Sequence, residues 1–168
     1  MTAAPALTHA LRTVNAGLAG FGGLIAPPVL RVALALPFLR SGLTRWDGFG
    51  TVSVGTQYLF EEQFKLHIFG VLYDLPAPDQ LALLVAIAEI VLPILLLLGL
   101  GTRITALALL VMTAVIQLVF PDGWTNFHLY WAAIALAIVA LGPGALSLDR
   151  GIEILARRRS GAAKLSAI

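Results

Sequence analysis

Four stretches of the chain stay apolar for about the length of a bilayer crossing, and this settles the class of fold before any motif is read. They cover residues 28–46, 79–98, 103–120 and 126–141. A spanning helix needs about 20 mostly apolar residues, because the hydrocarbon core is about 30 Å thick. The fourth stretch is short, and a thinned bilayer or interfacial side chains would accommodate it. A soluble globule is excluded by the shortage of charge. Charged residues make up 12% of the chain and hydrophobic ones 59%, whereas soluble domains carry about 25% charged residues. Disorder is excluded by the same composition. The expected fold is all-α, an integral membrane four-helix bundle.

The ends of these stretches carry helix punctuation. Gly99-Leu-Gly-Thr102 reads as a tight turn between the second and third spans, with Arg103 as an anchor beside it. Pro121-Asp-Gly123 closes the third span, Thr125 or Asn126 is the expected cap of the fourth, and Gly142-Pro-Gly144 stops it. Ser147 is placed to cap a short helix over residues 148–159. Three parts follow: an apolar, Gly-rich lead-in over residues 1–27, cytoplasmic or interfacial; the four-span domain over 28–149; and a basic cytoplasmic tail over 150–168. No small-x-small cleavage site stands out in the lead-in.

Basic residues set the orientation. Arg12, Arg31, Arg103, Arg150, Arg157, Arg158, Arg159 and Lys164 fall on one side, with Lys65 opposite and Arg45 at its border. The positive-inside rule then puts both termini in the cytoplasm of a bacterial inner membrane. Asp47, Glu61, Glu62, Asp74, Asp79 and Asp122 fall outside. The small positive net charge is used at the membrane edges, so no nucleic-acid partner is expected. The first outer loop, residues 47–78, is the long connection. Within it, Tyr58 to Leu72 reads as an amphipathic helix at the outer interface. Phe60, Phe64, His67 and Val71 share one face, and Glu61 pairs with Lys65 one turn on.

Two constellations carry candidate chemistry. Charges inside spans are costly and are functional candidates by default. Arg40 and Glu89 each lie ~15 Å or more into their spans at 1.5 Å per residue, so they are expected to face each other as an intramembrane pair. A structural pair that fixes helix register is as good a reading as a ligand-binding or proton-responsive carboxyl. Pro93 frees the Glu89 carbonyl and Pro37 frees that of Ala33, which adds a polar notch. The second constellation lies at the outer surface. Trp124, His128 and Trp131 follow helical spacing, with Gln117 at the outer end of the third span and His67, Glu61 and Glu62 in the long loop. Such a set suits a quinone ring or, through His67 and His128, a metal ion. The competing reading is an ordinary aromatic belt with a hydrogen-bonded edge histidine. The chain has no cysteine and three histidines, so thiolate chemistry is excluded and neither haem nor an iron–sulfur cluster is expected in it.

Several strings resemble the DoxX/DoxD family of small four-helix bacterial membrane proteins. They are Ala88-Glu89 with Gly99-Leu-Gly-Thr-Arg103, and the ending Leu141-Gly-Pro-Gly-Ala-Leu-Ser147-Leu-Asp149. Arg45 matches the family's basic residue near the end of the first span, whereas Arg40 before Ser41-Gly42 is less typical. Tyr58-Leu-Phe-Glu-Glu62 and Pro121-Asp-Gly-Trp124 through His128 resemble members found beside bufferin-type metal-peptide genes. The resemblance implies a link to quinone-coupled redox systems and does not by itself make the chain an enzyme. Three readings stay open. The first is a membrane subunit of a quinone-linked redox system, dependent on a membrane or periplasmic protein partner. The second is a non-enzymatic scaffold that docks such a partner through residues 47–78. The third is a metal-handling or transport component, which would have to form a homo-oligomer to enclose a pathway.

Overall fold

The computed structural model describes residues 3–165, with side chains described for residues 8–9 and 11–158. Met1, Thr2 and residues 166–168 lie outside the described residues, as do the side chains of Arg159 and Lys164. Six α-helices and two small hairpins follow in the order α1 (Ala3–Leu43), β1 (Trp46–Gly48), β2 (Thr51–Val52), α2 (Val54–Tyr58), β3 (Lys65–Ile68), β4 (Val71–Asp74), α3 (Pro78–Leu98), α4 (Thr102–Val119), α5 (Leu129–Leu141) and α6 (Leu148–Leu165). A π-helical turn, Leu59–Gln63, extends α2, and a 3-10 turn followed by a π-helical turn, Trp124–His128, leads into α5. Four helical runs are long and apolar enough to cross a membrane: Leu11–Leu43, Pro78–Leu98, Thr102–Val119 and Pro121–Leu141.

The spans form a ring in the order α1, α3, α4, α5, each packed on its two neighbours. Hydrophobic burial cannot drive helices together in lipid, so close approach and hydrogen bonding must do it. The core accordingly mixes Leu34, Phe38, Leu96, Leu109 and Ile138 with Ala35, Ala106 and Ala135. Leu84, Ile104, Val111 and Leu136 point outward and are exposed, as lipid-facing side chains should be.

One end of the bundle is pinned by polar bonds. The α3–α4 turn uses left-handed Gly99 and Gly101, and the Leu100 N–H closes on the Leu95 carbonyl at 2.9 Å. Asp149, at the start of α6, reaches across to this turn. Its carboxylate accepts from the Gly101 N–H at 2.8 Å, the Thr102 N–H at 2.9 Å and the Thr102 hydroxyl at 2.8 Å. The Asp149 N–H donates back to the Gly99 carbonyl at 2.9 Å. Arg31, buried on α1, donates through Nη2 to the Leu146 carbonyl. We call this the turn end, and the opposite one, which carries residues 44–77, the loop end.

At the loop end the sequence-based expectations need correction. The first span stops as a helix at Leu43 rather than continuing to Trp46, because Thr44 and Arg45 bond back three residues to Ser41 and Gly42 and Trp46 starts a strand. Its described lead-in residues are helical and continuous with the span. The expected amphipathic helix over Tyr58–Leu72 ends at Gln63. Lys65 to Asp74 is instead a hairpin pairing Ile68 with Val71 and Lys65 with Asp74. Its two-residue tip, Phe69-Gly70, has positive φ at both positions, +50° and +80°, the geometry of a type I′ turn. Val71 therefore leaves the face of Phe60 and Phe64, and Lys65 pairs with Asp74 at 2.6 Å instead of with the Glu61 carboxylate. Thr125 and Asn126 do not cap the fourth span, since helical structure already begins at Pro121 and carries both inside the π turn. Ser147 does cap α6, accepting from the Arg150 N–H at 3.2 Å, and that helix runs past residue 159 to Leu165.

Candidate functional site

Glu89 sits half-way along α3, ~16 Å from its start at 1.5 Å per residue, and is 2% exposed. Gly42 of α1 packs directly on it. A Cβ on Gly42 would lie 2.8 Å from the Glu89 carbonyl carbon and oxygen. This carbonyl is the one that Pro93 releases from the helix ladder. The contact also fixes the level of α1, which stops beside the middle of α3. The loop-end half of α3 is covered instead by Val52, Phe60 and Phe64 from the segment that follows α1. Irregular backbone at such depth is tolerated where protein buries it.

The cation that meets Glu89 is Arg45, not Arg40. Arg45 donates through Nε to one carboxylate oxygen and through Nη2 to the other at 2.9 Å, a fork-to-fork pair. Its Nη2 also donates to Ser41 Oγ at 3.4 Å, and its guanidinium carbon lies 5.4 Å from the centre of the Phe60 ring. Arg40 is exposed. Helix phase explains the exchange. Arg40 precedes Gly42 by two residues, about 200° around a helix of 3.6 residues per turn, so it points away from α3. Arg45 leaves the last turn on the Gly42 side.

His128 is 4% exposed, held in the π turn that opens the fourth span. Its ring lies against Gly123, where a Cβ would collide with the imidazole. His128 Nδ1 is 2.6 Å from Gln117 Oε1, and Gln117 Nε2 donates to the Pro121 carbonyl at 3.0 Å. The second bond fixes which end of the amide faces the ring. Nδ1 must then carry the hydrogen, which leaves Nε2 as the acceptor of the neutral imidazole. Trp131 lies 5.4 Å from the His128 ring centre and 5.2 Å from that of Phe38.

These two constellations, separate in sequence, line one space. A cavity of about 230 Å³ is bounded by Phe38, Ser41, Arg45, Glu89, His128 and Trp131, among others. An apolar slot of about 100 Å³ adjoins it, with Arg45, Glu89, Ile116 and Phe120 common to both walls. Hydrogen-bonding groups thus face an otherwise aromatic and aliphatic chamber, an arrangement that suits a small planar ligand with polar edges.

The remaining candidates lie elsewhere. Trp124 is exposed. His67 is exposed on the second hairpin, its Nδ1 near the Lys65 and Leu118 carbonyls. Glu61 and Glu62 are exposed, and Asp79 pushes the Glu61 carboxyl above its usual range by charge repulsion. Among the described residues no three His, Asp or Glu side chains converge to hold a metal ion. Two residues were missed as site or framework. Arg45 carried a signal in the resemblance of the first span's end. Asp149 carried a signal in the Ser-Leu-Asp ending, whose partner proves to be the Gly-Leu-Gly-Thr turn.

The family model described as DoxX matches residues 26–122, more than half of the chain. No curated protein and no solved structure matches the chain significantly. The chain belongs to the DoxX family and is a multi-pass membrane protein.

Proposed function

For this DoxX-family membrane protein, we propose a role as the membrane subunit of a quinone-linked redox system, binding the quinone ring in the loop-end cavity. In this reading the loop end faces the periplasm of a bacterial inner membrane and both termini are cytoplasmic, a placement supported by the basic residues of the turn end. The observation that carries the proposal is that His128 and the Arg45–Glu89 pair wall the same chamber as Phe38 and Trp131. A quinone ring is flat and apolar on its faces, and its two carbonyls accept hydrogen bonds. When bound, the ring supplies a two-electron, two-proton couple, with a partner protein exchanging the electrons.

The residues of the chain do the rest. Gln117 holds His128 in the tautomer whose Nε2 accepts a hydrogen bond or a proton, as a bound quinol hydroxyl requires. Arg45 presents further donors and keeps Glu89 oriented. Phe38 and Trp131 confine the ring from the side. The test is binding of decylubiquinone to protein in nanodiscs, read by quenching of tryptophan fluorescence. His128→Ala and Gln117→Ala should each weaken binding of the reduced form, decylubiquinol, whose hydroxyl donates to His128 Nε2, about tenfold, in line with a lost hydrogen bond of about 1.5 kcal/mol. Wild-type protein that leaves decylubiquinone unbound overturns the proposal.

A second reading, a scaffold that docks a periplasmic protein, draws on one feature. Phe49 and Phe69 stand fully exposed at the tips of the two hairpins. Crosslinking in cells from position 49 or 69 should then capture a protein partner, and replacing both with Ser should abolish capture.

A further inference from the structure

The apolar slot beside the ring cavity is bounded by α3 and α4, through Leu81, Val85, Met112, Val115 and Val119, and by Phe64 and Phe120. These last two meet edge to face at 5.1 Å. Apart from Arg45 and Glu89, its wall carries no charged or polar side chain. Those two are also the polar wall of the ring cavity. The slot is therefore an extension of that cavity. It exists because α1 stops beside Glu89, so that no straight helix fills the space next to the loop-end half of α3. Val115, which is about half exposed, places one side of the slot on the lipid-facing surface of α4.

We infer that this slot seats the first part of the apolar tail of the ligand, and that the ligand enters sideways from the bilayer between α3 and α4. The inference rests on the ring-binding proposal and deepens it: the substrate class becomes a lipid-soluble quinone with a long hydrocarbon tail, not a tail-less water-soluble one. The chemistry agrees at each point. The head needs donors and acceptors, which Arg45, Glu89 and His128 provide. The tail needs a dry apolar wall continuous with lipid, which the α3–α4 face provides. The two lie in contact across Ile116 and Phe120, so one molecule spans both. The tail leaves lipid, not water, to enter the slot, so its contribution comes from close packing against the slot wall.

The experiment compares decylubiquinone with ubiquinone-0, the same ring without the tail, on protein in nanodiscs. Wild-type protein should bind decylubiquinone at least tenfold more tightly than ubiquinone-0. With free concentrations expressed in the lipid phase, Val115→Trp, which fills the slot, should remove that advantage while ubiquinone-0 binds as before, and this retained binding also reports that the variant is folded. Val85→Phe should act in the same direction, and His128→Ala should weaken the reduced, quinol forms of both ligands alike. Decylubiquinone binding unchanged in Val115→Trp and Val85→Phe overturns the tail slot and leaves the ring site standing. Equal binding of the two quinones by wild-type protein does the same. A phospholipid that co-purifies in the slot and is not displaced by decylubiquinone also overturns it. Failure of wild-type protein to bind either quinone overturns both inferences together.

Discussion

The two ends of the bundle use the same chemistry for opposite ends. At the turn end, the Asp149 carboxylate closes onto three donors of the α3–α4 turn, and Arg31 closes onto the loop before α6. At the loop end, the Glu89 carboxylate closes onto Arg45 and His128 onto Gln117. Both ends draw charge out of solvent and bond it, although Arg31 Nε and Nη1 are buried without a hydrogen-bond partner. What differs is the space beside the bonds. Gly99 packs so tightly on Arg31 and Ser147 that a Cβ there would collide with both. Glu89 and His128 instead face a cavity of about 230 Å³. A buried polar cluster without room beside it is a clamp; the same cluster beside an apolar chamber is a place for a ligand. Burial alone does not separate the two.

Substitutions can break this contrast, and the largest effect is expected at Glu89. Glu89→Ala leaves Arg45 without its partner at mid-span, a loss of about 3–5 kcal/mol. It should abolish both thermal stability in detergent and quinone binding. Asp149→Ala should cost less, about 1.5–3 kcal/mol for charge-assisted bonds lost at a solvent-accessible end. Quinone binding should be unchanged once the protein is folded. Equal damage to binding from the two variants would erase the difference between the ends.

The pH dependence of the turn end sharpens the contrast. Burial would raise the Asp149 carboxyl, but hydrogen bonds from Thr102 and Gly101, with the charge of Arg31, outweigh it and hold it below its usual value. A carboxyl lowered in the folded state contributes stability that is present above its unfolded pKa of about 3.9 and is lost as pH falls through the folded value. Unfolding temperatures of wild-type protein should therefore fall on acidification below about pH 4, and Asp149→Asn should flatten that fall.

The smallest effect is expected at Glu61. Its carboxyl is raised, chiefly by the charge of Asp79, so its contribution has the opposite sign: the folded state loses stability as pH rises through the window above the unfolded value. Asp79→Asn should lessen this slope. The group is fully exposed, so the change is a slight shift in unfolding temperature, with quinone binding unaffected.

Much of the framework was legible in local sequence. The four spans, the Gly99–Gly101 turn, the stop at Gly142 and the Ser147 cap each depend on neighbours within a few residues. The hairpin over Lys65–Asp74 carried a signal too, since apolar and β-branched residues flank Phe69-Gly70, but the helical spacing of Phe60, Phe64, His67 and Val71 competed with it. The depth of Glu89 and the aromatic setting of His128 were legible. That they share one cavity was not, because it depends on how far α1 slides along α3. Arg40 and Arg45 both lie near the end of one helix, and only the contact of Gly42 with Glu89 shows which face meets α3.

The sequence by itself determined that this chain has four stretches able to cross a membrane, and the turn that joins the second to the third, because hydropathy and capping act over one or two turns of chain. Tertiary structure alone decided that Arg45 takes Glu89, that Asp149 locks the α3–α4 turn, and that Glu89 and His128 line a common chamber. Those outcomes depend on the rotation and offset of helices relative to one another, which are set jointly by close contacts between residues far apart in the chain.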